Sequence, residues 1–222
     1  MSNIWYLSPS NQSANIGIDG YGTEKEQMYC LVEEIVPHLD RAGVSFHVAD
    51  PDMTIGHRAK ESNAMGSKFH LCCHSNAGGH GKAWGPVALY YSDTGRIMGE
   101  NMVSALLALG QKSNRSSNIA QRKDLLELKK TSAPACLLEV DFHDSSAGVD
   151  FITRRRSDIA EALAKVIIEA DGKTFVPVTA GEYVDEAVKL GLFRRNTDLS
   201  APLTREEGAE LAVKLYHLLT RG

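Results

Sequence analysis

The chain has 222 residues, 43% of them hydrophobic and 23% charged, with a formal net charge of -4. Those proportions suit one medium α/β domain with a small appendage. The slightly acidic balance offers no basic field for nucleic acid or an anionic membrane surface, and no apolar run approaches the roughly 20 residues that a membrane span needs.

The segment Met1 to Leu7 lacks a positive stretch followed by an apolar one and a cleavage site. The expectation is synthesis and retention in the cytoplasm until something releases the protein. Cys30, Cys72, Cys73 and Cys136 form no CxxC pair and sit in apolar segments, which reads as small buried hydrophobes rather than disulfides or a thiolate metal site.

Apolar runs alternate with helical periodicity, the pattern of a single sheet of five or six strands flanked by helices. Ile4 to Leu7 reads as a first strand, ended by Ser8-Pro9-Ser10. Met28, Leu31, Val32, Ile35 and Leu39 recur at helical spacing, and Gly43 stops that helix. Val44 to Ala49 is the next strand and Ile55 to Ala64 a short helix. Phe69 to Cys73, almost wholly apolar, reads as a buried strand. The glycine-rich loop Gly78-Gly79-His80-Gly81 leads to a strand at Val87 to Tyr91 and a helix from about Gly95 to Leu109. Gln111 to Asn118 is polar and exposed, Ala135 to Val140 is a further buried strand, and a helix over Ile159 to Ile168 closes the domain. The division falls at residue 172. Residues 173–222 read as a linker and two short amphipathic helices, Glu182 to Leu190 and Arg205 to Leu219. Thr204 and Glu207 form a capping box for the second. At roughly 40 residues this piece has too little core to stand alone, so it docks on the main domain, pairs with a copy of itself, or both.

Three segments place polar groups at strand or helix ends, where open α/β sheets hold their sites. In Gly22-Thr23-Glu24-Lys25-Glu26, Thr23 and Glu26 have capping-box spacing, which gives Glu26 a structural duty. Glu24 has no such duty and reads either as a carboxylate favoured by the helix dipole or as a metal ligand. His74, at the end of a buried strand in Cys72-Cys73-His74-Ser75-Asn76-Ala77, is either a satisfied structural histidine or a ligand. In Leu137-Leu138-Glu139-Val140-Asp141-Phe142-His143-Asp144, a carboxylate in an apolar strand is costly unless paired or bound. Along a regular strand Glu139, Asp141 and His143 share a face.

Taken together the segments resemble the zinc N-acetylmuramoyl-L-alanine amidases of the amidase-3 type, found among bacterial cell-wall enzymes and phage endolysins. Glu24 matches the glutamate at the start of the family's first long helix. Cys72 to Ala77 matches a strand end like S-I-H-A-N-A, and Pro134 to Phe142 matches a segment like P-A-x-L-x-E-V-G-F that carries the catalytic glutamate, here Glu139. The resemblance covers about residues 3 to 170. It implies Zn2+ as cofactor, bacterial peptidoglycan as partner, and hydrolysis of the amide between the muramic acid lactyl group and L-alanine. Host-cell lysis after release is the implied setting. The family's first histidine ligand, in a segment like D-P-G-H-G-G, is replaced here by Ser8-Pro9-Ser10-Asn11-Gln12-Ser13, and no histidine precedes His38. Catalytic zinc normally has three protein ligands, so the expected set is Glu24, His74 and His143. Gln12, Asn76 and His80 are the expected substrate contacts or alternative ligands. Residues Ala187 to Phe193 and Leu203 to Glu207 resemble one surface-layer-homology module, which implies wall binding or a homodimer through these helices. Two other functions stay open: a peptidoglycan-binding homologue without catalysis, and a zinc peptidase of the stem peptide.

Overall fold

The computed structural model describes residues 3–78 and 81–177. By its internal contacts the chain divides after Val176. His80 and the two C-terminal helices of the sequence reading lie outside the described residues, and with them the surface-layer-homology and homodimer expectations.

Residues 3–176 form one mixed six-stranded sheet in the order β2-β1-β3-β6-β4-β5. The strands are β1 Trp5–Pro9, β2 Phe46–Val48, β3 Phe69–Asn76, β4 Val87–Tyr90, β5 Ile119–Gln121 and β6 Ala135–Phe142. β1, β2, β3 and β6 run parallel, and β4 turns antiparallel against β6 with β5 parallel to it at the edge. Six helices flank it: α1 Glu24–Arg41, α2 Ile55–Met65, α3 Asp93–Ala108, α4 Leu126–Lys130, α5 Ser146–Arg154 and α6 Arg156–Ala170. None is long and apolar enough to cross a membrane among the described residues.

Two faces of the sheet are unequal. On the first, Leu7, Leu71, Cys73, Ala88, Leu138 and Val140 join the buried faces of α1, α3 and α6 in the main core. α3 comes so close that a Cβ on Gly99 would stand 2.7 Å from the Ala88 Cβ, which is why a glycine sits there. On the second face a small cluster of Cys72, Leu128, Ala135 and Leu137 lies under α4. All four cysteines are free thiols, with Cys72, Cys73 and Cys136 buried.

Three elements were not expected from the sequence: β5, α4 and α5. β5 and α4 are three and five residues long, too short to show a period. α5 is capped by Ser145, whose hydroxyl accepts from Gly148 N–H. Gln111 to Asn118 is largely exposed as expected. Two of its residues point inward all the same, because Gln111 donates to Asp141 and Asn118 to Pro86 O.

Candidate active site

Parallel strands align their C-terminal ends, and here the ends of β1, β3 and β6 meet the N-terminus of α1. The capping box forms: Thr23 Oγ1 accepts from Glu26 N–H, and Glu26 Oε2 accepts from Thr23 N–H. That fixes the first turn and turns Glu24 inward, where it is 1% exposed. His74 meets it from β3, with Nδ1 2.7 Å from Glu24 Oε1. Asn15 donates to Glu24 Oε2 at 2.7 Å and to Gln12 Oε1 at 2.8 Å. The Gln12 amide nitrogen lies 3.4 Å from His74 Nδ1. The turn after β1 is held to the sheet, since Ser10 N–H donates to Cys73 O at 2.8 Å and Gln12 N–H to Ser10 Oγ.

Burial pushes the Glu24 carboxyl up, but the hydrogen bond and charge of His74, with Asn15 and Ser10, outweigh it and leave it below its ordinary value. Burial pulls His74 down, and Glu24 and Glu139 outweigh that in turn, raising it. A carboxylate and an imidazole sharing one site stabilise each other's charged forms.

Glu139 stands directly opposite His74 in the β3–β6 ladder. Its residue surface is only partly covered, yet Oε2 is sealed from solvent and has no hydrogen-bond partner. Burial raises its carboxyl to about 7, against a lowering by His74. A buried carboxylate without a partner is uncommon enough to need a reason, and one poised near neutrality suits proton transfer.

His143 is not brought to this group. The β3–β6 register shifts between His74 and Asn76: His74 faces Glu139, but Asn76 faces Phe142, so β6 carries one extra residue. Such a bulge reverses the alternation beyond it, and the expectation that Glu139 and His143 share a face fails for that reason. His143 turns to Ser75, with Nδ1 2.9 Å from Ser75 Oγ, and stacks on Tyr21 with ring centres 5.6 Å apart. Tyr21 Oη donates to the same Ser75 hydroxyl at 2.7 Å. Asp141, within the bulge, accepts from the Gly85 and Phe142 amides and from Gln111. The Asn76 side-chain oxygen accepts from Ala77 N–H, which shapes the loop rather than the Glu24–His74 pair.

A second polar group lies one step back along the same face of β3. His70, Cys72 and Glu127 are the described side chains whose three potential ligand atoms all lie within 4.8 Å of one another, so they could hold a metal ion. Glu127 Oε1 already accepts from Ser8 Oγ and lies 2.9 Å from His70 Nε2. Arg58, 1% exposed, donates to Ser8 Oγ, to Pro9 O and to Asp50 O. Tyr6 stacks on His70 at 4.7 Å. Burial drives the Cys72 thiol well above its ordinary value, so it stays protonated. The sequence reading missed this group, and Asn15 and Ser10 with it. A signal existed: His70, Cys72 and His74 alternate along one strand, which places two histidines on one face.

No family model matches the chain, and no curated protein does either. Solved structures do. The catalytic domain of CwlV, an N-acetylmuramoyl-L-alanine amidase from Bacillus (Paenibacillus) polymyxa var. colistinus, is 16% identical with a TM-score of 0.68, covering 76% of this chain and 98% of that one. The N-acetylmuramyl-L-alanine amidase Ami1 from Mycobacterium abscessus is 19% identical with a TM-score of 0.67 over the same shares. The catalytic domain of CD27L, an endolysin targeting Clostridia difficile, is 18% identical with a TM-score of 0.63 over 78% of this chain and 98% of that one. The described domain has the fold of these amidase catalytic domains, nearly end to end.

Proposed function

We propose that this chain is a zinc-dependent N-acetylmuramoyl-L-alanine amidase, which hydrolyses the amide between the lactyl group of muramic acid and the first L-alanine of peptidoglycan. The observation that carries this reading is Glu139, an unpartnered carboxylate near neutrality beside the buried Glu24–His74 pair. A fold shared with three amidase catalytic domains supports it.

The donors fit a zinc ion: an imidazole nitrogen and a carboxylate oxygen, directed at each other in a buried place, are groups zinc takes. Glu24 and His74 would hold it. The Gln12 amide, 3.4 Å from His74, stands nearer for the third place than His143, whose Nδ1 is engaged by Ser75. When bound, zinc supplies Lewis acidity that polarises a carbonyl and makes water more acidic. Glu139 takes the proton of the attacking water and later delivers it to the departing alanine nitrogen, so that water adds across the amide to give an acid and an amine. Asn15 keeps Glu24 oriented, as supporting partners of metal ligands do.

Peptidoglycan lies outside the membrane, so the enzyme acts after release, as in lysis of a host cell. A second reading, a wall-binding protein without catalysis, is favoured by one observation: an amide stands where a stronger third donor would serve zinc better. Metal analysis with digestion of purified peptidoglycan separates the two. The expected result is about one zinc per chain, with new amino termini on L-alanine. Absence of zinc after incubation with excess metal, with no new amino termini, overturns the amidase reading and leaves wall binding.

A further inference from the structure

β3 runs two residues past His74, to Asn76. Its side chains alternate. Leu71 and Cys73 enter the main core, whereas Cys72 lies in the small cluster on the second face. Ser75 turns back to the first face, where it meets Tyr21 and His143. The extra residue of the bulge belongs to β6 and leaves this alternation intact. Asn76 therefore shares the second face with His74, and two residues of strand place its backbone about 7 Å beyond that of His74. Glu139, opposite His74 and two residues on from Leu137 of the small cluster, belongs to the same face.

The Asn76 amide is held in one orientation. Ala77 N–H points at one end of it from 2.8 Å. A backbone N–H can only donate, so that end is the oxygen and Nδ2 is the end left over. The backbone is fixed as well, because Asn76 O accepts from His143 N–H at 2.8 Å. No described residue accepts from Nδ2. The rim is open here: Asn76 and Glu139 are partly exposed, and Ala77 and Gly78 are exposed. The end of β3 thus carries an oriented N–H donor without an acceptor, on the same face as a carboxyl without a donor.

A neutral amide donor suits a neutral carbonyl acceptor. Glu139 delivers a proton to the departing alanine nitrogen, so the alanine lies over this face. Its carbonyl oxygen is three bonds from that nitrogen, about 3 Å away, and one pleat of strand brings it within reach of an asparagine side chain. We propose that Asn76 is a substrate-binding residue whose Nδ2 donates to the carbonyl oxygen of the first L-alanine. It holds the leaving side of the substrate while Glu139 protonates the nitrogen. This rests on the amidase reading and names the group of its substrate that the end of β3 selects.

The test uses the full zinc-loaded chain and two soluble muramoyl amides. One carries L-alanine N-methylamide, and the other a branched alkylamine of the same length and hand with no carbonyl. Wild type should cleave the carbonyl form about tenfold more efficiently, the difference lying in KM, because one hydrogen bond is lost with the alkyl form. Asn76→Ala removes the donor and should bring that preference close to one. Asn76→Asp keeps an oxygen for Ala77 N–H but turns a second oxygen towards the carbonyl, so it should lose the preference with the loop intact. Equal cleavage of both forms by wild type overturns the proposal while leaving the amidase intact. So does a tenfold preference that survives in both variants, even where they slow both substrates alike, since Asn76 then serves only the loop. Cleavage of neither form by wild type overturns the amidase reading itself, and this inference with it.

Discussion

Two histidine–glutamate pairs lie on one face of β3, four residues apart, and they differ in what surrounds them. His70 and Glu127 sit 2.9 Å apart with both side chains at or below 4% exposure. Ser8, Arg58 and Tyr6 close around them. His74 and Glu24 sit 2.7 Å apart at the strand's end, held by uncharged amides from Gln12 and Asn15, with Glu139 unpartnered beside them. The same interaction thus serves two purposes. Arg58 ties the inner pair, through Ser8, to Pro9 O and Asp50 O, whereas the outer pair faces the further carboxyl of Glu139. A buried ion pair by itself says little about function; the groups left unsatisfied around it say more.

The comparison breaks first at Glu139. Glu139→Gln should lower turnover by about three orders of magnitude, with zinc content and the circular dichroism spectrum unchanged; a variant that keeps a tenth of wild-type activity removes Glu139 from proton transfer. The inner pair should fail differently. Glu127→Ala leaves the buried His70 and Ser8 without their carboxylate partner and should cost about 3–5 kcal/mol of stability, read by denaturant unfolding. Glu24→Ala should chiefly lose zinc. If Glu127→Ala strips zinc while Glu24→Ala keeps it, the two roles are exchanged.

A smaller effect sharpens the third donor. Gln12→His supplies imidazole where an amide now stands and should slow zinc loss to a chelator by about tenfold, the scale on which groups around a metal tune affinity. An unchanged rate, together with zinc loss from His143→Ala, returns the third place to His143.

A further effect is a pH dependence of the metal-free protein. Glu139 titrates at about 7 in the fold against an ordinary 4.5, so the folded chain keeps a proton that the unfolded chain has lost. Stability from this group is therefore whole below 4.5, declines as pH rises towards 7 and is level above it. Glu139→Gln removes the penalty. With chelator present it should exceed wild type by roughly 3 kcal/mol at pH 8 and nearly match it at pH 4. Equal melting curves at pH 8 would mean that the carboxylate is solvated.

Much of this was legible in the sequence because it depends on local period and capping. Helix α1 follows from its apolar spacing and the Thr23–Glu26 box, and the box in turn directs Glu24 inward. The buried strands β3 and β6 follow from apolar runs, and Glu139 stood out as a charge inside one. The resemblance to zinc amidases rested on those same segments. β5, α4 and α5 escaped because short elements take their shape from their neighbours more than from their own period.

The sequence by itself determined an α/β sheet, the helix start that carries Glu24, and Glu139 as a carboxylate out of place in a strand, since each follows from a pattern within a few residues. Tertiary structure decided which polar groups meet. One extra residue in β6 carried His143 to the opposite face, the turn after β1 brought Gln12 and Asn15 to the Glu24–His74 pair, and Glu127 came from a distant segment to His70. Bulges and long-range approaches change side-chain direction without altering local hydrophobic period, so only the folded chain reveals them.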